Sequence, residues 1–491
     1  MDLVLALDAG TTGVRTVAYN DQLEVVEERY RELTQHFPSP GEVEHDPAEI
    51  VALAVETLGD VARSVRANGD HVAALGITNQ RETTVGFDRA SGEVFHNALV
   101  WQDRRTAALC QALEAAGHGP EVRTTTGLVL DPYFSATKIR WMLDAGLADR
   151  ARTPSFATVD TWLLWALSGG VDGGAFLTEA SNASRTSLLD LASRTWSASM
   201  LELFGVDGSM LAEVRPSCGV FAHVAGAVVP ELEGVAITGI LGDQQSALFG
   251  QACFTPGLVK ATYGTGAFVL ANAGSKVPPV VDGLLTTLAW DLGNFGPVAY
   301  ALEGSAFVAG AAVQWLRDLG LIARSSDLDA LARSVTDSAG AIFIPAFTGL
   351  GSPFWRSNAR GALMGLSRGV TSAHVARAVV EALAFQVRAM TDAFRDGGVE
   401  VLELRADGGA AAMDLLMSLQ ATNSRVAVRR SRSLEATARG AASIAGLAVG
   451  RWNSLDELSE LWRGSTTFEP DEPGFVDAGY LAWTRAIERT Q

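Results

Sequence analysis

Two short units of the same design constrain the fold of this chain more than any other feature. Each is an apolar strand, a turn built from Gly and Thr, and a second strand. The first comprises the apolar residues 3–7, the turn Asp8-Ala9-Gly10-Thr11-Thr12-Gly13 and the mixed β-branched segment 14–20. The second comprises 258–262, the turn Tyr263-Gly264-Thr265-Gly266 and 267–272. This pattern predicts a β-hairpin in each case. A chain that opens two stretches with the same hairpin predicts two halves of like construction, although they do not repeat in sequence.

Strands and helices alternate around the hairpins. Apolar residues recur at helical spacing over 48–66, and 73–77 reads as a buried strand. Further helices are predicted over 160–167, 195–203, 246–251, 306–319, 372–395, 412–422 and 437–449, and further strands over 236–241 and 401–405. Such alternation predicts α/β layers. A length of 491 residues suits two large domains or three smaller ones, and the boundary is expected near 250, giving units 1–250 and 251–491.

Composition narrows the partners. With 48% hydrophobic and 19% charged residues the chain can bury a large core, which excludes wholesale disorder. Against 56 Asp and Glu stand 38 Lys and Arg, a net charge of −18 that repels a phosphate backbone or an anionic membrane. Arg429, Arg430 and Arg432 make only a short basic stretch, so no nucleic-acid partner is expected. Cys110, Cys218 and Cys253 are too scattered for a metal site or a disulfide framework. The first eight residues lack the positive flank of a signal peptide. The apolar runs 219–230 and 441–450 fall short of the roughly 20 residues of a membrane span. A cytoplasmic protein without a membrane span is the expectation.

The turns carry chemistry. A short Gly/Thr loop aims backbone N–H groups and hydroxyls at one point, which suits a phosphate group. Asp8 at the strand end could hold a hydrated divalent cation, and Arg15 could neutralise a terminal phosphate. The GxxxxGK[ST] pattern is absent, which disfavours a P-loop. One such turn is equally an ordinary hairpin; two suggest a phosphate chain gripped from both sides of a cleft. Asp407-Gly408-Gly409-Ala410-Ala411 joins a strand to a helix, where glycines admit a flat group or simply close packing. Asp243 follows an apolar strand and Gly242, an address for a general base toward a hydroxyl or for a helix N-cap. The polar run 77–84 contains Asn79, Gln80, Arg81 and Glu82, donors and acceptors suited to a polyol, or a surface ion pair. Trp101, Tyr133 and Phe268 could wall such a pocket or belong to the core.

Taken together these segments resemble the FGGY carbohydrate kinases over nearly the whole chain. The stretches are LALDAGTTGVR (5–15), GEVEHDP (41–47), GITNQRETT (76–84), VWQDRRT (100–106), DPYFSATK (131–138), SNASRT (181–186), GDQQSALFGQ (242–251), ATYGTGAF (261–268), ALEGSAFVAGAAVQWLRD (301–318), IPAFTGLGSPFW (344–355) and GAASIAGLAVG (440–450). The combination of NQRET, DPYFS and GDQQ points within the family to its glycerol-phosphorylating members. The resemblance implies a pair of actin/hexokinase-type, ribonuclease-H-like domains flanking a catalytic cleft. It implies ATP-dependent phosphorylation of glycerol to sn-glycerol 3-phosphate with Mg²⁺, by a homo-oligomer, dimer or tetramer. By position, Arg81, Glu82, Tyr133 and Asp243 match residues that bond glycerol, with Gln244 beside them, and Asp243 matches the catalytic base. Trp101 and Phe268 match the apolar wall. Thr11, Thr12, Arg15, Thr265, Gly310, Gln314 and Gly409 match ATP contacts, and Asp8 matches the carboxylate near magnesium. Met413, followed by Asp414, departs from an asparagine near the adenine, which predicts weaker adenine selectivity with the triphosphate grip kept. Alternatives are a kinase for another small polyol or sugar (erythritol, a ketopentose, dihydroxyacetone) and a non-catalytic actin-like ATP switch. The second leaves the NQRE cluster and Asp243 without purpose.

Overall fold

The computed structural model describes residues 1–490 apart from Ser357, Ser433, Leu434 and Pro473. Its two large sheets follow one plan. In the first, Asp2–Ala9, Gly13–Tyr19 and Val25–Glu32 form an antiparallel meander. His71–Asn79 and then Ala236–Gly242 add in parallel on the other side of the first strand, and Cys218–His223 closes that edge antiparallel. In the second, Leu258–Tyr263 and Ala267–Gly274 continue antiparallel into Val298–Ala306 and Leu285–Asp291. Glu403–Asp407 and Val428–Ser431 add in parallel, and Gly464–Phe468 closes the edge antiparallel. The two predicted hairpins thus hold the same place in the two sheets, and the expected paired α/β architecture is present.

The central strand of the first sheet reads as a continuous apolar run because both of its faces are covered. Leu3, Leu5 and Leu7 face Ile50, Ala54, Leu58, Val61 and Val65 of the helix Pro47–Ala67. The alternate residues Val4 and Ala6 pack with Ala438, Ala441 and Ala445 of the helix Ala436–Ala448. Asp46 starts the earlier helix by accepting a hydrogen bond from the Ala48 amide at 2.8 Å, with Pro47 as its first residue.

The helix Ala436–Ala448 lies late in the chain but packs on the first sheet. At two glycines backbone meets backbone. A Cβ on Gly440 would stand 1.9 Å from the Ser246 carbonyl oxygen, and one on Gly76 would stand 2.1 Å from that of Ala441. This helix and Asp243–Gly250 share one apolar cluster with Leu270, Ala289 and Ala301 of the second sheet, so they lie where the two halves meet.

Three predicted elements differ from the structure. Thr195 and Trp196 pair with Asp190 and Leu189, and the helix begins only after Ser197, as Ala198–Phe204. Ala306 ends a strand, and the helix predicted from it is Gly310–Asp318. Residues Gly409–Ala412 form a tight 3-10 turn, after which the α-helix is Asp414–Ser424.

Candidate active site

Parallel strands bring their carboxyl ends to one edge, and in open α/β sheets that edge is where ligands bind. Asp8 lies beside Thr78 in register, and Gly242 beside Asn79. Asp8, the segment 80–82 and Asp243 therefore emerge together from the first sheet. In the second, Thr262 lies beside Asp407, so the turns 264–266 and 408–409 emerge together.

Arg81 and Glu82 form no surface pair: each side chain is 2% exposed. Arg81 Nε lies 3.2 Å from Oδ1 of Asp243, and Nη2 donates to the Tyr133 hydroxyl at 3.2 Å. Nη1 and Nη2 donate to the two oxygens of Glu303 at 2.7 and 2.9 Å. Arg185 Nε donates to Oε1 of Glu82 at 2.7 Å. Asp243 is the first residue of its helix, with Gly242 in the capping position, and its carboxylate accepts from the Gln244 amide at 2.7 Å. Its side chain is 28% exposed, open to the cleft. Trp101 packs edge-on to Tyr133 with ring centroids 5.4 Å apart, and its indole Nε1 donates to the Thr11 hydroxyl at 2.9 Å. The aromatic wall is thereby tied to the first Gly/Thr turn. Lys138, wholly buried, fixes the Tyr133 segment by donating to the carbonyls of Pro132, Tyr133 and Phe134 at 2.6, 2.7 and 3.1 Å.

The turns are tightly built. The first closes through the Gly10 amide donating to the Gly13 carbonyl at 3.0 Å, and the Gln35 amide group donates to the Thr11 carbonyl at 2.6 Å. The second is seated on the start of the helix Gly310–Asp318: the Gly310 amide donates to the Gly264 carbonyl at 2.9 Å and Ala309 to Thr265 at 2.8 Å. Gly408, at φ +86°, lies against the Tyr263 backbone, where a Cβ would come within 2.5 Å of the carbonyl oxygen, while a Cβ on Gly409 would meet open space. Thr265, Gly310, Gly408 and Gly409 are thus one surface. Arg15 stands opposite Asp8 in the hairpin and is ion-paired with Glu435 at the start of the helix that joins the halves.

Burial sets the electrostatics. It pushes the Asp8 carboxyl up to about 7, helped by Asp243 and opposed by Arg15. It also raises Asp243, against the pull of Arg81 and with help from Glu82. Lys260, which donates to Gln244 and to the Thr262 hydroxyl, is lowered by burial to about 8 despite Asp407, Asp243 and Glu303 around it. Burial alone would raise Glu303 too, but Arg185 and Arg81 outweigh it and hold that carboxyl at about 2. Two carboxyls at the cleft are therefore hard to ionise together, which is the setting that a cation or a proton relieves. Among the described residues no three His, Cys, Asp or Glu side chains converge as a metal cage. Asp8 offers one carboxylate, a hard oxygen donor of the kind that would suit Mg²⁺.

The structure gathers Arg81, Glu82, Trp101, Tyr133, Asp243 and Gln244 in one cluster. Phe268 pairs in register with Thr262 in the second hairpin and is half-buried. Thr11, Thr12 and Arg15 line one turn, and Thr265, Gly310 and Gly409 the other. Gln314 donates to Asp318 at 2.6 Å on its own helix. Met413 is 8% exposed and belongs to the core of the second half, and Asp414 is ion-paired with Arg430. Sequence reading missed Glu303, Arg185, Lys260 and Glu435. Glu303 and Arg185 lie inside the quoted segments ALEGS and SNASRT, but nothing local marks either as a partner of Arg81 or Glu82.

The family models for the N-terminal and C-terminal domains of the FGGY family of carbohydrate kinases match residues 3–250 and 259–449. A glycerol kinase of Stenotrophomonas maltophilia (strain K279a) is 48% identical over 99% of this chain and 98% of its own length. A glycerol kinase of Myxococcus xanthus (strain DK1622) is 47% identical over 99% of both. The crystal structure of Plasmodium falciparum glycerol kinase with ADP superimposes with a TM-score of 0.93 at 34% identity, covering 100% of this chain and 98% of that one.

Proposed function

The chain belongs to the FGGY family of carbohydrate kinases, and from that premise we infer that it transfers the terminal phosphoryl group of ATP to glycerol, forming sn-glycerol 3-phosphate. The observation that carries the choice of acceptor is the cluster at Asp243. A carboxylate open to the cleft stands 3.2 Å from Arg81 Nε, with Tyr133 and Glu82 held beside it. A triol needs a donor and an acceptor for each hydroxyl, and these groups supply them within one small volume. Trp101 and Phe268 border the carbon atoms, and Gln244 completes the polar side.

Phosphoryl transfer asks for position and charge neutralisation more than for covalent chemistry. Asp243 accepts the proton of the attacking hydroxyl, and burial raises its basicity for that task. Arg81 orients the same hydroxyl region and keeps Asp243 ionised. Thr11, Thr12 and Thr265 offer hydroxyl and amide donors to the phosphate chain, and Arg15 offers it positive charge. Gly310, Gln314, Gly409 and Met413 border the nucleotide. Asp8 would hold Mg²⁺, which would supply charge neutralisation of the triphosphate. The units 1–250 and 251–491 each carry one phosphate turn, so water is excluded by their approach.

Among the described residues no helix is long and apolar enough to cross a membrane. We assign the protein to the cytoplasm, in keeping with its three free, buried cysteines and its acidic charge, and propose a homo-oligomer on the family resemblance alone. Isothermal titration tests the acceptor: heat on adding glycerol is expected, whereas nucleotide binding with no heat from glycerol or related polyols would identify a nucleotide switch instead.

A further inference from the structure

Glu303 lies on the strand Val298–Ala306 of the second sheet, yet its carboxylate is engaged with side chains of the first half. Its side chain is 0% exposed, so it touches no ligand in the cleft. Arg81 grips both of its oxygens, at 2.7 and 2.9 Å, and Arg185 adds contacts of 3.2 and 3.3 Å. Pairing of a guanidinium fork with a carboxylate fixes the plane of the guanidinium as well as its position. That plane determines which N–H faces Asp243: it is Nε, at 3.2 Å. It also sets Nη2, which donates to the Tyr133 hydroxyl at 3.2 Å. Arg185, placed by the same carboxylate, donates to Glu82 at 2.7 Å. The orientation of Arg81, Tyr133 and Glu82 traces back to one buried carboxylate on the opposite half.

We propose that Glu303 is a positioning residue for the acceptor site, holding Arg81 and Arg185 so that the groups facing glycerol keep their geometry. The proposal rests on the reading of that cluster as the glycerol site. Without the charge of Glu303, both Nη groups of Arg81 lose their charged partner and keep only the neutral acceptors Gln245 and Tyr133 at 3.3 and 3.2 Å, and the carboxylates left to them are Asp243 and Glu82. Arg81 then turns into the pocket instead of lining it.

The test compares kcat and both Michaelis constants of the wild type, Glu303→Gln and Glu303→Asp, alongside melting temperatures. Displacing a positioning group by about 1 Å costs up to about 100-fold, so Glu303→Gln is expected to lose at least about tenfold in kcat/KM for glycerol. The KM for ATP should stay within about twofold, since that substrate contacts other residues. Glu303→Asp, which keeps the charge and shortens the reach, should recover part of the loss. A folded Gln variant with wild-type glycerol constants would overturn the proposal. So would equal losses toward ATP and glycerol, the signature of general damage to the fold. Should the Gln variant fail to fold, Glu303→Asp alone decides: a raised glycerol KM with an unmoved ATP KM supports the role, and unchanged constants refute it. A wild type that does not turn over glycerol defeats the functional reading and this proposal with it, whereas an active wild type matched by the Gln variant defeats only the role of Glu303.

Discussion

Nε of Arg81 lies 3.2 Å from Oδ1 of Asp243, while both Nη groups of the same arginine are bonded to Glu303. Asp243 therefore keeps a single cationic contact from Arg81 and leaves 28% of its side chain open to the cleft. A carboxylate fully clamped by a guanidinium fork would be too weak a base; one with no cation would not stay ionised. Four expectations follow from this balance and from the turns around it.

Asp243→Asn keeps the volume and removes the proton acceptor. General-base contributions of about 10²–10⁴-fold set the expected fall in kcat. Circular dichroism and the melting temperature should match the wild type. Near-normal turnover in the folded variant would remove Asp243 from the mechanism.

The pH profile has a definite sign. Burial raises Asp243 above its ordinary value of 3.8, and raises Asp8 to about 7. Both carboxyls bind protons more readily than in the unfolded chain, so activity is present above these values and lost as pH falls through them. The acid limb of kcat/KM should begin between the ordinary carboxylate range and neutrality, and it belongs to the coupled pair. A profile flat down to pH 4 would contradict it.

Arg15 is expected to serve the triphosphate and contribute little to stability. Its side chain is 27% exposed and its partner Glu435 37%, so the pair adds about 0–1 kcal/mol. A charge-assisted contact is worth about 1.5–3 kcal/mol. Arg15→Met should therefore lower kcat/KM for ATP by roughly 10–100-fold with little change in melting temperature. Loss confined to the glycerol constants would move Arg15 out of the nucleotide site.

Met413→Asn tests base selectivity and packing together. Met413 belongs to the core of the second half, so the substitution should cost on the order of 2 kcal/mol in stability. A regained hydrogen bond of about 0.5–1.5 kcal/mol would raise the preference for ATP over GTP and ITP by up to about tenfold. A donor ranking that does not move would show that this position does not read the base.

The hairpins, the parallel strands and most helices were legible in the sequence, because a run such as Leu3–Leu7 is apolar throughout only when both faces are covered. The identities of Arg81, Glu82 and Asp243 were legible for a similar local reason: each stands at the end of an apolar strand. Their partners were not. Arg81 and Glu303 are 222 residues apart, and no spacing rule links them. The helix Ala436–Ala448 reads as part of the second half, yet Gly76 and Gly239 let it settle on the first sheet, a contact that only the folded backbone reveals. The segment 195–203 reads as one helix because Thr195 and Trp196 fit a helical pattern, whereas in the fold Ser197 caps a helix that starts after them. Met413 follows a tight turn that buries it, which its chemistry alone does not announce.

The most direct test of the whole account is ADP release in a coupled assay, run with ATP against glycerol, erythritol, dihydroxyacetone and a ketopentose. Glycerol should give the highest kcat/KM of the panel, with sn-glycerol 3-phosphate as the product. A four- or five-carbon acceptor ranking above glycerol, or ADP release with no acceptor dependence, would contradict the acceptor site built on Arg81, Glu82, Tyr133 and Asp243.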